Sequence, residues 1–189
     1  MKKIAFYHLL GVIYSEEKNY EKAIKFFKES LAIKETSEGH FYLGVVYDKL
    51  GEKKKMEEEM NKSINLNPKN KLALNFLGYS YLLANKNIKQ AYKMIREACR
   101  MEPENNAFLD SLGWAYYKMK QYKSAEKYLK KAASFEKDPE IFNHLGYLYF
   151  KIKNYQEAIV WWAKSLELKK NTKIDKMLQE AKSLLKGSE

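Results

Sequence analysis

The sequence predicts an all-α fold: five helix-turn-helix repeats in a row, closed by one further C-terminal helix. Three observations predict it. First, the string Leu-Gly-x-x-Tyr occurs five times, at Leu10-Gly11 with Tyr14, Leu43-Gly44 with Tyr47, Leu77-Gly78 with Tyr81, Leu112-Gly113 with Tyr116 and Leu145-Gly146 with Tyr149. Successive glycines lie 33, 34, 35 and 33 residues apart, and self-similarity at one period marks stacked supersecondary units. Second, each string is followed by Ala23, Met56, Ala91, Ala125 or Ala158 and, four residues later, by a large apolar side chain: Phe27, Met60, Ile95, Leu129 or Trp162. A small residue comes three further on, Ser30, Ser63, Ala98, Ala132 or Ser165. Third, only 3 Pro and 8 Gly in 189 residues leave few turns, and 46% hydrophobic content argues against disorder despite 31% charged residues.

The repeats are expected at about 4–37, 38–70, 71–105, 106–138 and 139–170, with a capping helix and tail at 171–189. Met1-Lys2-Lys3 before the apolar run from Ile4 mimics a secretory leader. That run carries the repeat pattern, however, and no small-residue cleavage site follows it, so it reads as the first helix. Pro68 and Pro103 close units two and three, where a helix must stop. Lys137-Asp138-Pro139 ends unit four. Between Thr172 and Lys186, Ile174, Met177, Leu178, Ala181, Leu184 and Leu185 form one helical stripe that covers the last repeat. No equivalent helix precedes Ile4, which leaves the first helix facing solvent, upstream residues or a docked partner.

Glycine inside a helix costs about 0.5–1 kcal/mol relative to Ala. Repeating that in one register requires a close neighbour, and the small residue of the second helix (Ala23, Ala91, Ala125, Ala158) is the expected one. The Tyr three residues on lies one turn along the same face, with its hydroxyl expected at the core edge.

Several function classes find little support. A single cysteine, Cys99, excludes an intrachain disulfide and a CxxC motif. No run of about 18 apolar residues exists to cross a membrane. His8, His40 and His144 lie in different units without metal-ligand spacing. No Gly-rich phosphate loop or Ser-His-Asp arrangement is found, so no catalysis, cofactor or metal is expected. The net charge of +11 raises an anionic partner. Yet Lys53-Lys54-Lys55 and Lys123, Lys127, Lys130 and Lys131 interleave with Glu57, Glu58, Glu59 and Glu126, as on a solvated face.

These marks resemble the tetratricopeptide repeat over essentially the whole chain: Trp, two residues, Leu-Gly, two residues, Tyr, then Ala, Phe and Pro. The Trp slot holds Tyr7, His40, Leu74, Leu109 and Phe142, and Met56 replaces one Ala. The resemblance implies a right-handed α-solenoid that binds protein partners on an inner wall formed by the first helix of each unit. It points inward the residues three before, one after and four after each Gly. The candidate groove is therefore Phe41, Asn75, Tyr79, Leu82, Asp110, Trp114, Tyr117, Asn143, Tyr147 and Phe150. Aromatic groups would supply apolar area, with Asn75, Asp110 and Asn143 as a hydrogen-bonding ladder. The competing reading is that the array curls and buries this strip against itself.

The Lys/Asn clamp by which chaperone-binding relatives hold a terminal carboxylate is missing from these slots. Nucleic acid is the weaker alternative, since the inner register holds few basic residues, and a self-associating homo-oligomer is the stronger one. Leu74–Tyr79, Pro103 and Leu109–Trp114 are similar to bacterial scaffolds and adaptors of this family. Some of those are envelope lipoproteins, but no lipid-attachment Cys occurs here. A cytoplasmic location is expected, or a periplasmic one for a chain that has lost a leader.

Overall fold

The computed structural model describes residues 2–187. Met1 of the leader-like start and Ser188-Glu189 of the expected tail lie outside the described residues. The described residues fold as eleven helices: α1 Lys2–Glu16, α2 Tyr20–Ile33, α3 Ser37–Lys49, α4 Lys53–Leu66, α5 Lys71–Leu83, α6 Ile88–Met101, α7 Asn106–Lys118, α8 Tyr122–Phe135, α9 Pro139–Lys151, α10 Tyr155–Leu168 and α11 Thr172–Lys186. The fold is all-α, five helix pairs and a capping helix. It divides into two compact units, residues 1–77 and 78–189, with the division inside α5.

In the first unit α1 packs on α2 and α3 on α4, with α2 also against α3. Its core is Ala23, Phe27, Leu43, Val46, Met56 and Met60. His40, in the Trp slot, is buried between Glu59, 2.5 Å from Nδ1, and Glu35, 3.1 Å from Nε2. Phe6, Leu9 and Ile13 of α1 are exposed at 56%, 57% and 39%. In the second unit α7 pairs with α8 and α9 with α10, while α11 lies on α10. Ile174, Leu178 and Ala181 of α11 are buried with Leu145, Leu148, Ala158 and Trp162, which closes the hydrophobic core.

The glycines meet a different neighbour from the one expected. A Cβ at Gly11 would lie 2.6 Å from Phe27 Cε1, and one at Gly113 would lie 2.6 Å from Leu129 Cγ. Met60, Ile95 and Trp162 face Gly44, Gly78 and Gly146 in the same way. Thus the large side chain lies nearest the glycine backbone, while the alanines, one turn earlier, are buried; at Gly78 the Ala91 carbonyl oxygen is also close, at 3.1 Å.

Each first helix ends alike. Seven residues after each motif glycine the chain turns left-handed, at Lys18 (φ 60), Gly51 (φ 75), Asn85 (φ 50), Lys120 (φ 62) and Lys153 (φ 62). The next amide donates to the carbonyl of the motif tyrosine, as from Gln121 to Tyr116 at 2.9 Å and from Asn154 to Tyr149 at 2.9 Å. This is the Schellman closure of a helix C-terminus. Side-chain caps start several helices: Asn19, Thr36, Asn105, Asp138, Asn154 and Asn171 each accept from a first-turn amide. Two motif tyrosines also bond through their hydroxyls, Tyr116 with Tyr92 at 3.1 Å and Tyr149 to Glu126 at 2.7 Å.

Candidate functional site

The second unit carries a groove of about 740 Å³. Its lining comes from the end of α5 (Tyr79, Leu83), from α7 (Trp114, Tyr117, Lys118), from α9 with the turn before it, and from the α10–α11 joint (Lys169, Asn171, Lys173). Tyr79, Trp114 and Tyr147 each follow a motif glycine directly, so the repeat itself brings them to one wall.

Trp114 is held flat. Its ring stacks on His144 at 4.1 Å and 17° and on Tyr117 at 4.5 Å and 7°, with Tyr147 tilted alongside at 6.0 Å. Only 7% of Trp114 is exposed. Beneath it, His144 Nδ1 donates to both oxygens of Asp110, at 2.8 and 2.9 Å. Its Nε2 lies 3.4 Å from the Tyr79 hydroxyl, which donates to Glu140. Burial pushes the Asp110 carboxyl up, opposed by the imidazole beside it. Burial, then the bond to Glu140, pushes the Tyr79 phenol far above its usual range. A phenol so raised cannot supply a phenolate near neutrality. The carboxyl of Asp110, the His144 imidazole, the Tyr79 phenol and the Glu140 carboxylate thus form one connected chain against the Trp114 ring.

Five of the ten sequence-predicted residues line this groove: Tyr79, Trp114, Tyr117, Asn143 and Tyr147. Asp110 lies below the platform, occupied by His144. Leu82 is a correction: it is fully buried, its branched apolar chain drawn into the core, and it offers no surface. Phe150 packs on Tyr155 and Trp162, both at 5.5 Å, rather than into the groove. Asn75 and Phe41 belong to the first unit, where Phe41 borders a separate hollow of about 350 Å³ with His8 and Tyr42. The ladder is thus not uniform. Asp110 is bonded, whereas Asn75 Oδ1 and Asn143 Oδ1 are buried without a hydrogen-bond partner.

Lys118, Lys169, Lys173, His144 and Glu140 were not among the expected groove residues. The lysines stand outside the repeating inner register, so the motif gives no cue to them. Nor does His144 have one: the residue one repeat after Asp110, 33 positions on, is Asn143, and His144 stands one place outside the inner register. Among the described residues no helix is long and apolar enough to cross a membrane.

Comparison with known families gives tetratricopeptide repeat over residues 4–37 and 38–70, and anaphase-promoting complex, cyclosome, subunit 3, over 84–161. The chain is 30% identical over 129 residues to the type IV pilus assembly protein PilF of Pseudomonas aeruginosa, covering 67% of this chain and 51% of PilF. It is 34% identical over 89 residues to a TPR repeat-containing protein of the same organism, covering 47% of this chain and 15% of that protein. It therefore spans about half of the one relative and a small part of the other. Among solved structures, P. aeruginosa PilF superposes with a TM-score of 0.74 at 25% identity, covering 88% of this chain and 76% of that one. A thermophilic TPR protein of Thermus thermophilus gives 0.73 at 23% identity, covering 94% and 98%. The Cut9–Hcn1 hetero-tetramer of the APC/C gives 0.83 at 21% identity, over 93% of this chain and 35% of that one. With the repeat marks in the sequence, the paired helices they produce and these matches all agreeing, the chain belongs to the tetratricopeptide-repeat proteins.

Proposed function

We propose that this chain is an adaptor that holds an extended or helical segment of a partner protein in the groove of its second unit. The fold itself supports a protein–protein interaction scaffold. What carries the groove reading is the platform: Trp114, clamped between His144 and Tyr117, with Tyr147 beside it. Rings already immobilised lose little entropy when a partner docks, and Tyr and Trp dominate binding hot spots. Tyr117 and Tyr147 are half-buried, so they present the ring area while Trp114 backs them. The likeness to a type IV pilus assembly protein makes an assembly role the first pathway to examine.

Selection of a random displayed peptide library on the wild type and on Tyr117→Ala/Tyr147→Ala tests this, with folding followed by circular dichroism. Peptides retained by the wild type and lost by the variant are expected. Equal retention would move binding away from the groove.

A second reading, self-association, is favoured by the exposed Phe6, Leu9 and Ile13 on α1. It expects a mass that rises with concentration and falls back to the monomer in Leu9→Lys.

A further inference from the structure

We infer, resting on the groove reading above, that the partner segment is acidic: carboxylates beside an apolar or aromatic side chain. The groove lining brings together Lys118 of α7 and Lys169 and Lys173 of the α10–α11 joint. Among the described residues none of the three forms an ion pair. Lys118 Nζ donates to the neutral Asn85 Oδ1 at 2.7 Å and lies 5.2 Å over the Trp114 ring. Lys173 Nζ lies 5.9 Å over Tyr147. Some lysines elsewhere find carboxylates, as Lys53 with Asp48 at 2.5 Å, Lys62 with Glu59 at 2.8 Å and Lys130 with Glu126 at 2.7 Å, while others such as Lys22 and Lys164 lie over rings as these do.

The two acids that line the groove, and Asp110 beneath it, already accept hydrogen bonds. Asp110 is held by His144 and Glu140 by Tyr79, while Asp138 caps α9 by accepting from the amides of Glu140 and Ile141. Three cations thus face the groove without an ion pair, against two lining carboxylates, Asp138 and Glu140, whose oxygens are bonded elsewhere. Lys118 lies over the backing ring of Trp114 and Lys173 over Tyr147, a ring that would seat an apolar side chain. Cations over aromatic faces gain some attraction from the rings yet keep their capacity for a carboxylate. A segment with acidic residues flanking an apolar one matches both features at once. Because the lysines are partly solvated, their charge acts mainly on encounter rate and on selection among partners.

The test extends the library selection to a third protein, Lys118→Gln/Lys169→Gln/Lys173→Gln, selected beside the wild type and Tyr117→Ala/Tyr147→Ala. The wild-type pool is expected to be enriched in Asp and Glu next to apolar residues. A synthetic peptide from that pool is expected to bind the lysine variant about tenfold more weakly, with affinity falling as salt rises. A pool without acidic enrichment that still depends on Tyr117 and Tyr147 would overturn the charge inference and leave the groove standing. A pool retained equally by all three proteins would remove both. If a single-stranded oligonucleotide binds through the lysines as tightly as the acidic peptides do, the site is a polyanion site and the peptide assignment fails.

Discussion

Replacing Gly113 by Ala sets two known effects against each other. Alanine is favoured over glycine in a helix interior by about 1 kcal/mol, so propensity alone predicts stabilisation. The structure predicts the opposite. The new methyl would lie 2.6 Å from Leu129 Cγ, 2.8 Å from its Cδ2 and 3.0 Å from its backbone nitrogen. A branched side chain buried at 0% exposure and a neighbouring backbone cannot both withdraw, and forcing a methyl into a filled core costs about 1–3 kcal/mol. After the propensity gain of about 1 kcal/mol, the expected net loss is about 0–2 kcal/mol. Urea unfolding of four proteins forms the check: wild type, Gly113→Ala, Leu129→Ala and the double variant. Leu129→Ala alone should cost about 2–5 kcal/mol. In that background Gly113→Ala should cost less than in the wild type, because the Leu129 side-chain clash has gone and only the backbone nitrogen at 3.0 Å still opposes the propensity gain. Gly44→Ala is the internal control, since its nearest neighbour is the Met60 methyl at 2.9 Å, the free end of a flexible chain. It should be near neutral. A Gly113→Ala protein more stable than wild type by about 1 kcal/mol would refute the close-packing account of the motif glycine.

The left-handed lysines give a second prediction: Lys120→Gly and Lys153→Gly should each stabilise by about 1 kcal/mol in thermal or urea unfolding, because glycine takes φ near 60° without a Cβ penalty. Gly51→Ala should destabilise by a similar amount. Bonds from Lys130 and then Tyr149 hold the Glu126 carboxyl below its usual range. A depressed folded pKa adds stability that is present above the ordinary glutamate range and lost as pH falls through the depressed value. Glu126→Gln should therefore flatten the acid limb of a stability–pH curve, by at most about 1 kcal/mol because the pair is solvent-screened. Trp114→Ala should cost about 3–5 kcal/mol of stability, since the ring is nearly buried, so a lost interaction in that variant would report on folding as much as on binding. Tyr117 and Tyr147 are the cleaner probes.

Much of the fold is legible because repetition multiplies weak signals. One Leu-Gly-x-x-Tyr is unremarkable, but five at a fixed period specify five helix pairs, and the Ile174–Leu185 stripe specifies their cover. Which atom meets the glycine was not legible. Both the alanine and the large residue recur at fixed offsets, and periodicity alone does not say which faces across a helix pair. The left-handed turn is hidden for a related reason: only Gly51 and Asn85 carry residues suited to it, while three units place Lys there. In the groove, the inner register gives Tyr79, Trp114, Tyr117, Asn143 and Tyr147, but it cannot distinguish a half-buried Tyr117 from a fully buried Leu82. Nor does it reveal groups used once, such as the lysines of the α10–α11 joint or the bond from His144 to Asp110.

The decisive measurement is the Kd, by isothermal titration calorimetry, of a library-selected peptide on the wild type and on Tyr117→Ala/Tyr147→Ala with matched circular dichroism. A groove that seats its partner on these rings predicts a loss of about 2 kcal/mol, roughly thirtyfold in Kd. Unchanged affinity in a folded variant would contradict it.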